Sequence, residues 1–137
     1  MKFKHGKDYE IWRALGAFLD AMDHGERFRH LNREAMQKMM DALAAIDAVS
    51  IAIGHGEIMV TSFYRPGNTK SYHGKMQAFD LRSKDKPTSW LWSMEKLGQL
   101  MRENDDQIQF DSHKELQRTN DPNRHLHVEI DTGDINA

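Results

Sequence analysis

The feature that most constrains this fold is segment 124–131, which reads RHLHVEID near the C-terminus. His125, His127 and Glu129 fall on one face at a period of two, and the apolar residues between them fall on the other. This alternation predicts a half-buried strand. Two imidazoles on the same strand face are close enough to serve one small site, and neutral imidazole is a common zinc ligand.

A partner for these histidines lies upstream in segment 71–82, SYHGKMQAFDLR. His73 and Asp80 are seven residues apart, and the apolar residues around Asp80 indicate a strand. Two ring nitrogens and one carboxylate oxygen would leave a fourth tetrahedral position open, as in a catalytic zinc site. Since the chain has no cysteine, disulfides, thiolate ligands and a cysteine nucleophile are excluded.

Length and composition predict one domain, residues 1–137, with a helical part at 1–50 and the sheet and metal site at 57–131. A net charge of −2 with mixed signs gives no electrostatic case for nucleic acid. No apolar run approaches membrane-spanning length, and the N-terminus lacks the apolar core of a signal peptide. We therefore expect cytoplasmic synthesis without membrane insertion, with a target at the cell wall reached through lysis or a partner. The oligomeric state stays open.

The first half of the chain carries two helical patterns. Apolar residues spaced by three and four from Ile11 predict an amphipathic helix that ends near His24 and Gly25. Asn32 is a suitable cap for a second helix, whose methionine-rich stripe we interpret as core packing rather than a cofactor site.

The second half alternates strand and helix signals. The stretch 57–63 predicts the first strand of the sheet, followed by a turn at 65–68. A third helix is expected from Thr88 or Ser89 to about residue 104, then a short strand at 108–112 and a polar site loop or bulged hairpin to residue 123. Because no βαβ rhythm appears, we expect an α+β domain with a small antiparallel sheet and flanking helices.

These segments resemble a known family. The pieces VTSFYR at 60–65, SYH at 71–73 leading to AFD at 78–80, and HLHVE at 125–129 occur in the same order in one group of zinc peptidases. The group includes D-alanyl-D-alanine carboxypeptidases and dipeptidases, phage L-alanyl-D-glutamate endolysins and the Hedgehog signalling domain, which shares their fold. The resemblance covers roughly the C-terminal three-fifths of the chain.

The resemblance implies roles for individual residues. His73, Asp80 and His127 would bind Zn²⁺. Arg65 would hold the substrate through its planar guanidinium, and Ser71 would steady the loop or touch the substrate. The five other histidines are interpreted as ordinary surface or core residues: His5, His24, His30, His55 and His113.

The general base requires a substitute in this chain. Many members of the family place an acidic residue three positions before the last metal histidine, where this chain has Arg124. Asp121 and His125 are similar in placement to an acidic residue and a second histidine of the Hedgehog-like branch. We expect Asp121 to take a proton from the attacking water and His125 to orient that water or hydrogen-bond the oxyanion. Glu115 is an outside candidate for the base, and Glu129 would support the histidines.

A second departure lies between the first two ligands. The family commonly has glycine three residues after the first metal histidine, where this chain has Met76. We expect Gly74 to supply some of that backbone freedom, or else the path from His73 to Asp80 to differ locally.

The function expected from these residues is a zinc metallopeptidase that hydrolyses an amide bond in peptidoglycan stem peptides. It would be of the D-Ala-D-Ala carboxypeptidase or the L-alanyl-D-glutamate endopeptidase type, and a phage or prophage origin is consistent with it. The main alternative is a zinc-retaining, non-catalytic module of the same fold that binds peptide or protein, favoured by Arg124. A phosphoesterase using His125 and His127 is weaker, because nothing glycine-rich would cradle a phosphate.

Overall fold

The computed structural model describes residues 1–21, 31–65 and 71–133. The predicted end of the first helix near His24 and Gly25 lies outside the described residues, and so does most of the predicted turn, at residues 66–68. In chain order the elements are β1 (Lys2–Phe3), α1 (Gly6–Ala21), α2 (Arg33–Ala52), β2 (Met59–Ser62), β3 (Ala78–Arg82), α3 (Thr88–Asn104), β4 (Ile108–Asp111), α4 (Lys114–Arg118) and β5 (His125–Ile130).

The sheet has five strands in the order β1-β2-β3-β5-β4. All neighbours are antiparallel except β1 and β2, which are parallel, so the sheet is mixed. The predicted α+β class with flanking helices is confirmed, whereas a purely antiparallel sheet is wrong. The difference arises because Lys2–Phe3 adds to the edge of β2, with the Lys2 N–H donating to the Ile58 carbonyl at 2.8 Å. A two-residue strand is too short to carry a period, and it also makes β2 the second strand rather than the first.

The second helix packs as its sequence predicts. The Asn32 side chain accepts a hydrogen bond from the Ala35 N–H at 3.0 Å, which satisfies one of the donors left free at a helix start. The methionine-rich stripe is buried, so its interpretation as core packing is confirmed. Each such side chain contributes about 1.5–3 kcal/mol through burial. The fully buried residues of this stripe are Met36, Met39, Leu43 and Ile46.

The third helix begins at Thr88, one of the two predicted starts. It contacts both α2 and β4. Trp90 is buried and its indole N–H donates to the Ser50 hydroxyl of α2 at 3.0 Å. Gly98 faces β4 so closely that a Cβ there would lie 2.6 Å from Phe110 Cγ. The absence of a side chain at Gly98 therefore lets β4 pack directly on α3.

The polar segment between β4 and β5 contains the short helix α4, which the sequence analysis treats as loop. Five residues are fewer than two helical turns, so no apolar period could reveal it. Gln117 ties α4 to its surroundings, because its amide donates to the carbonyls of Ser112 at 2.9 Å and His125 at 3.2 Å. The start of β5 is therefore held by α4.

The register of the central strands decides which polar residues meet. Asp80 of β3 lies directly opposite His127 of β5. On the other side of β3, Val60 pairs with Leu81 but Ser62 pairs with Asp80, so the β2 strand bulges by one residue. A bulge redirects the end of its strand, and here that end leads toward Asp80. No helix in the described ranges is both long enough and apolar enough to cross a membrane.

Candidate metal centre

Three predicted ligands converge on the polar face of the sheet. Asp80 Oδ1 lies 2.8 Å from His127 Nδ1, and Asp80 Oδ2 lies 3.4 Å from His73 Nε2. The ligand atoms of His73, Asp80 and His127 all lie within 4.8 Å of one another, so this triad could hold a metal ion. His73 and Asp80 are buried and His127 is half-buried. The strand register brings together residues that are 47 positions apart.

His73 is oriented by the end of β2. Its Nδ1 lies 2.8 Å from the carbonyl oxygen of Phe63. Because a carbonyl only accepts, Nδ1 donates to Phe63 and Nε2 is the nitrogen that faces Asp80. The backbone N–H of Arg65 in turn donates to the His73 carbonyl at 3.1 Å. Histidines that bind metals commonly have their second nitrogen fixed in this way.

His127 has a carboxylate on each side. Nδ1 faces Asp80, and Nε2 lies 2.9 Å from Glu129 Oε1, which projects from the same face of β5. Glu129 therefore orients His127, the supporting role expected of it. A carboxylate behind the ring leaves Nδ1 as the nitrogen that faces the triad, as a metal ligand requires.

Within the triad, His127 and Asp80 stabilise each other's charged forms as an ion pair. Burial would lower the pKa of His127, but hydrogen bonds to Asp80 and Glu129 outweigh it and raise the pKa to about 9. Burial would likewise raise the pKa of Asp80, but hydrogen bonds with His127 and His73 hold it well below its usual range. Each shift favours the charged form of the group. Asp80 is therefore an ionised carboxylate, the form that binds a cation.

The loop between His73 and Asp80 contains the departure noted at Met76. Met76 adopts φ +56° and is fully buried, and its N–H donates to the His73 carbonyl at 3.3 Å. Gly74 is not among the described glycines with positive φ, so the left-handed backbone conformation belongs to Met76 itself and not to Gly74. The left-handed conformation costs a residue other than glycine about 1–2 kcal/mol. Burial of the Met76 side chain offsets that cost.

His125 lies at the rim of the triad. Its Nδ1 is 2.9 Å from the carbonyl oxygen of Asn123, and its Nε2 is 4.0 Å from Asp80 Oδ1. The Asn123 carbonyl therefore accepts from Nδ1, and Nε2 is the ring nitrogen that faces the triad.

A further histidine, which the sequence analysis treats as ordinary, lies beside His125. The ring centroids of His113 and His125 are 4.4 Å apart, and those of His113 and His127 are 6.2 Å apart. The pairing of β4 with β5 places Asp111 opposite His127. Continuing that register by two residues puts His113 opposite His125, which is the signal that could have identified it.

Arg65 and Ser71 frame the other side of the triad. The Arg65 guanidinium is 3.5 Å from Asp80 Oδ2 and donates through Nε to the Ser62 hydroxyl at 3.0 Å. Arg65 is therefore anchored by the bulged strand while about half of its side chain remains exposed. The Ser71 hydroxyl accepts a hydrogen bond from the Gly74 N–H at 3.2 Å. That contact steadies the loop around His73, one of the two roles expected of Ser71.

Asp121 and Glu115 lie in the segment between β4 and β5. The Asp121 carboxylate accepts from the Asn123 N–H at 2.8 Å and thereby stabilises the turn before β5. Glu115 is exposed and forms an ion pair with Arg118. Within the described ranges, neither carboxylate contacts a member of the triad.

The chain matches no protein-family model, no curated protein and no solved structure.

Proposed function

We propose that the protein is a zinc metallopeptidase that hydrolyses an amide bond in peptidoglycan stem peptides and has a Hedgehog/DD-peptidase-like fold. The observation that carries the proposal is the arrangement of the two histidines. Each turns one ring nitrogen toward Asp80 while an acceptor of the fold holds the other: the Phe63 carbonyl for His73 and Glu129 for His127. Ligands held in this way are preorganised for a metal ion.

Zinc is the metal that best suits this donor set. Two imidazole nitrogens and one carboxylate oxygen are ligands that zinc accepts, and three protein ligands are typical of its catalytic sites. The triad of His73, Asp80 and His127 supplies that set, with two of the three side chains buried and His127 half-buried. When bound, zinc would polarise a carbonyl oxygen and lower the pKa of a water molecule to about 7.

The groups around the triad are suited to proton transfer and substrate binding. The Asn123 carbonyl holds Nδ1 of His125 and Nε2 faces Asp80, so we assign Nε2 as the acceptor of the proton from the attacking water. Asp121 remains the alternative base, although its carboxylate also holds the turn before β5. The anchored guanidinium of Arg65 would bind a peptide carbonyl or carboxylate next to the scissile bond.

The test of this proposal is hydrolysis by protein loaded with one equivalent of zinc. Muropeptides and D-Ala-D-Ala serve as substrates, and new amino groups are measured. We expect turnover by the zinc-loaded protein and none by the metal-free protein or by a His127→Ala variant. Equal rates with and without zinc, or no product at all, would overturn the proposal.

The alternative is a zinc-retaining module that binds peptide or protein without cleaving it. Two observations favour it: Arg124 occupies the position where the resembling family has an acidic residue, and Asp121 is engaged with Asn123. A His125→Ala variant separates the two cases, since an enzyme should lose turnover but keep its zinc. A binding module would bind muropeptide unchanged in both forms and release no product.

A further inference from the structure

We infer that a cavity beside the triad is a subsite for a carboxylate group of the peptide substrate. The identification of the ligand as a peptide rests on the proposed function. The cavity, which we call the cationic cavity, is lined by five basic side chains and one carboxylate. These are Lys4, Arg65, Arg82, Lys84, Arg124 and Asp80.

The cationic cavity is small and opens onto the proposed reaction centre. Its volume is about 260 Å³, and its wall includes Asp80 of the triad and His125. Clefts for larger ligands span about 300–1,000 Å³, so this cavity suits a group the size of one amino acid. A substrate amide placed at the triad would therefore have its neighbouring residue in this cavity.

The basic groups of the cationic cavity are only partly neutralised by the protein. Arg82 pairs with Asp85 at 3.0 Å, and Arg65 reaches Asp80 at 3.5 Å. Lys4 and Lys84 form no ion pair within the ranges that the structure describes. Two ammonium groups therefore have no carboxylate partner among the described residues.

Arg124 is a third cation with no carboxylate partner in the part of the chain that the structure describes, and it is the most firmly placed of the three. Its guanidinium donates to the carbonyl oxygens of Asp121 at 3.0 Å and Lys84 at 2.8 Å. Both acceptors are neutral, so the hydrogen bonds fix the guanidinium without cancelling its charge. A half-buried cation that is already held in place at a cavity wall needs little reorganisation to bind an anion.

The positive charge of the cationic cavity does not simply reflect the net charge of the protein. The protein carries a net charge of −2, yet basic side chains outnumber carboxylates five to one in the cavity lining. A local field of opposite sign to the overall charge concentrates anions at that position. A carboxylate is the anionic group that a stem peptide provides.

Two carboxylates of a stem peptide could occupy the cavity. One is the C-terminal α-carboxylate, as a carboxypeptidase would require. The other is the free α-carboxylate of a D-glutamate linked through its side chain. Probes without the scissile bond distinguish them: N-acetyl-D-alanine against its amide for the first, and D-glutamate γ-methylamide against its α-amide for the second.

The experiment measures dissociation constants of these probes for the zinc-loaded protein and two variants. Lys84→Ala removes one unpaired ammonium group but keeps the backbone carbonyl that holds Arg124. Lys114→Ala is the matched control, because Lys114 is exposed and lines other cavities, against α3. Zinc content is verified for each protein, so that coordination of a carboxylate by the metal is the same throughout.

We expect one acid probe to bind at least about tenfold more tightly than its amide, and the pair that discriminates identifies the source. Lys84→Ala should reduce that ratio about fivefold, and Lys114→Ala should leave it unchanged. Equal binding of acid and amide, or a ratio unaffected by Lys84→Ala, would overturn the subsite. If the ratio holds but no muropeptide is cleaved, the proposed function fails while the anion site stands.

Discussion

The triad and the segment between β4 and β5 lie beside the same candidate metal centre, but their side chains are positioned in different ways. His127 and Asp80 project from paired strands, and their separation follows from the strand register. His113 and Asn120 adopt positive φ values of 49° and 55° in a segment whose regular structure is only five residues long. Two of the three proposed metal ligands are thus fixed by the sheet, whereas Asp121, the alternative base, lies in a segment that depends on local backbone conformation.

The largest effect that we expect from this contrast is a difference in zinc affinity between two variants. His127→Ala removes a ligand held by Asp80 and Glu129, and we expect zinc affinity to fall more than about 100-fold. Asp121→Asn keeps the size of a side chain that accepts from the Asn123 N–H in the turn before β5, so zinc affinity should change less than about threefold. Competition with a chromogenic chelator measures both. Comparable losses in the two variants would contradict the division between triad and loop.

The same contrast explains what could be predicted from the sequence. The alternation in β5 is six residues long, so its two faces can be predicted. The convergence of His127 with Asp80 is implied by the resemblance to the zinc peptidases, and the strand register that produces it is seen only in the structure. β1 and α4 are too short to carry a period, and both were missed. Met76 was identified as a departure, but only the backbone shows that it adopts the left-handed conformation itself. The position of His113 beside His125 follows from the register between β4 and β5, and the residue pattern of one strand does not give that register.

A smaller effect is expected from Glu129, which supports the triad without facing it. Glu129→Gln replaces the carboxylate that accepts from His127 Nε2, and zinc affinity should fall about 10- to 100-fold. Glu95→Gln on α3 is the control, because it makes the same chemical change away from the triad. Isothermal titration of zinc into each protein measures the difference. An unchanged affinity in Glu129→Gln would mean that the sheet alone orients His127.

The ion pair of the triad makes the stability of the metal-free protein depend on pH. The pKa of His127 is about 9 in the folded chain against an ordinary value of 6.5, so folding favours the protonated ring. The stabilisation is complete below pH 6.5 and is lost as the pH rises through 9. Since Asp80 and His127 share one interaction, we expect a loss of only about 1–2 kcal/mol.

Urea unfolding of metal-free protein between pH 6 and 9.5 measures this loss, and His127→Gln provides the control without the titrating ring. The pKa of Asp80 is lowered, so its contribution acts at the opposite end and disappears as the pH falls below its ordinary value of 3.8. A stability that rises between pH 6.5 and 9 in the wild-type chain alone would contradict the ion pair.

The smallest effect concerns the backbone of the segment that carries Asp121, the alternative base. Asn120 is exposed and adopts φ 55°, a conformation that asparagine tolerates and alanine disfavours. Asn120→Ala should lower the free energy of unfolding by about 1 kcal/mol, while Asn120→Gly should leave it unchanged or raise it slightly. Thermal unfolding of the zinc-loaded proteins measures both. Because Asn120 belongs to none of the segments that carry His73, Asp80 and His127, the two variants should retain equal zinc affinity, and a parallel loss of zinc in Asn120→Ala would show that this segment also positions the triad.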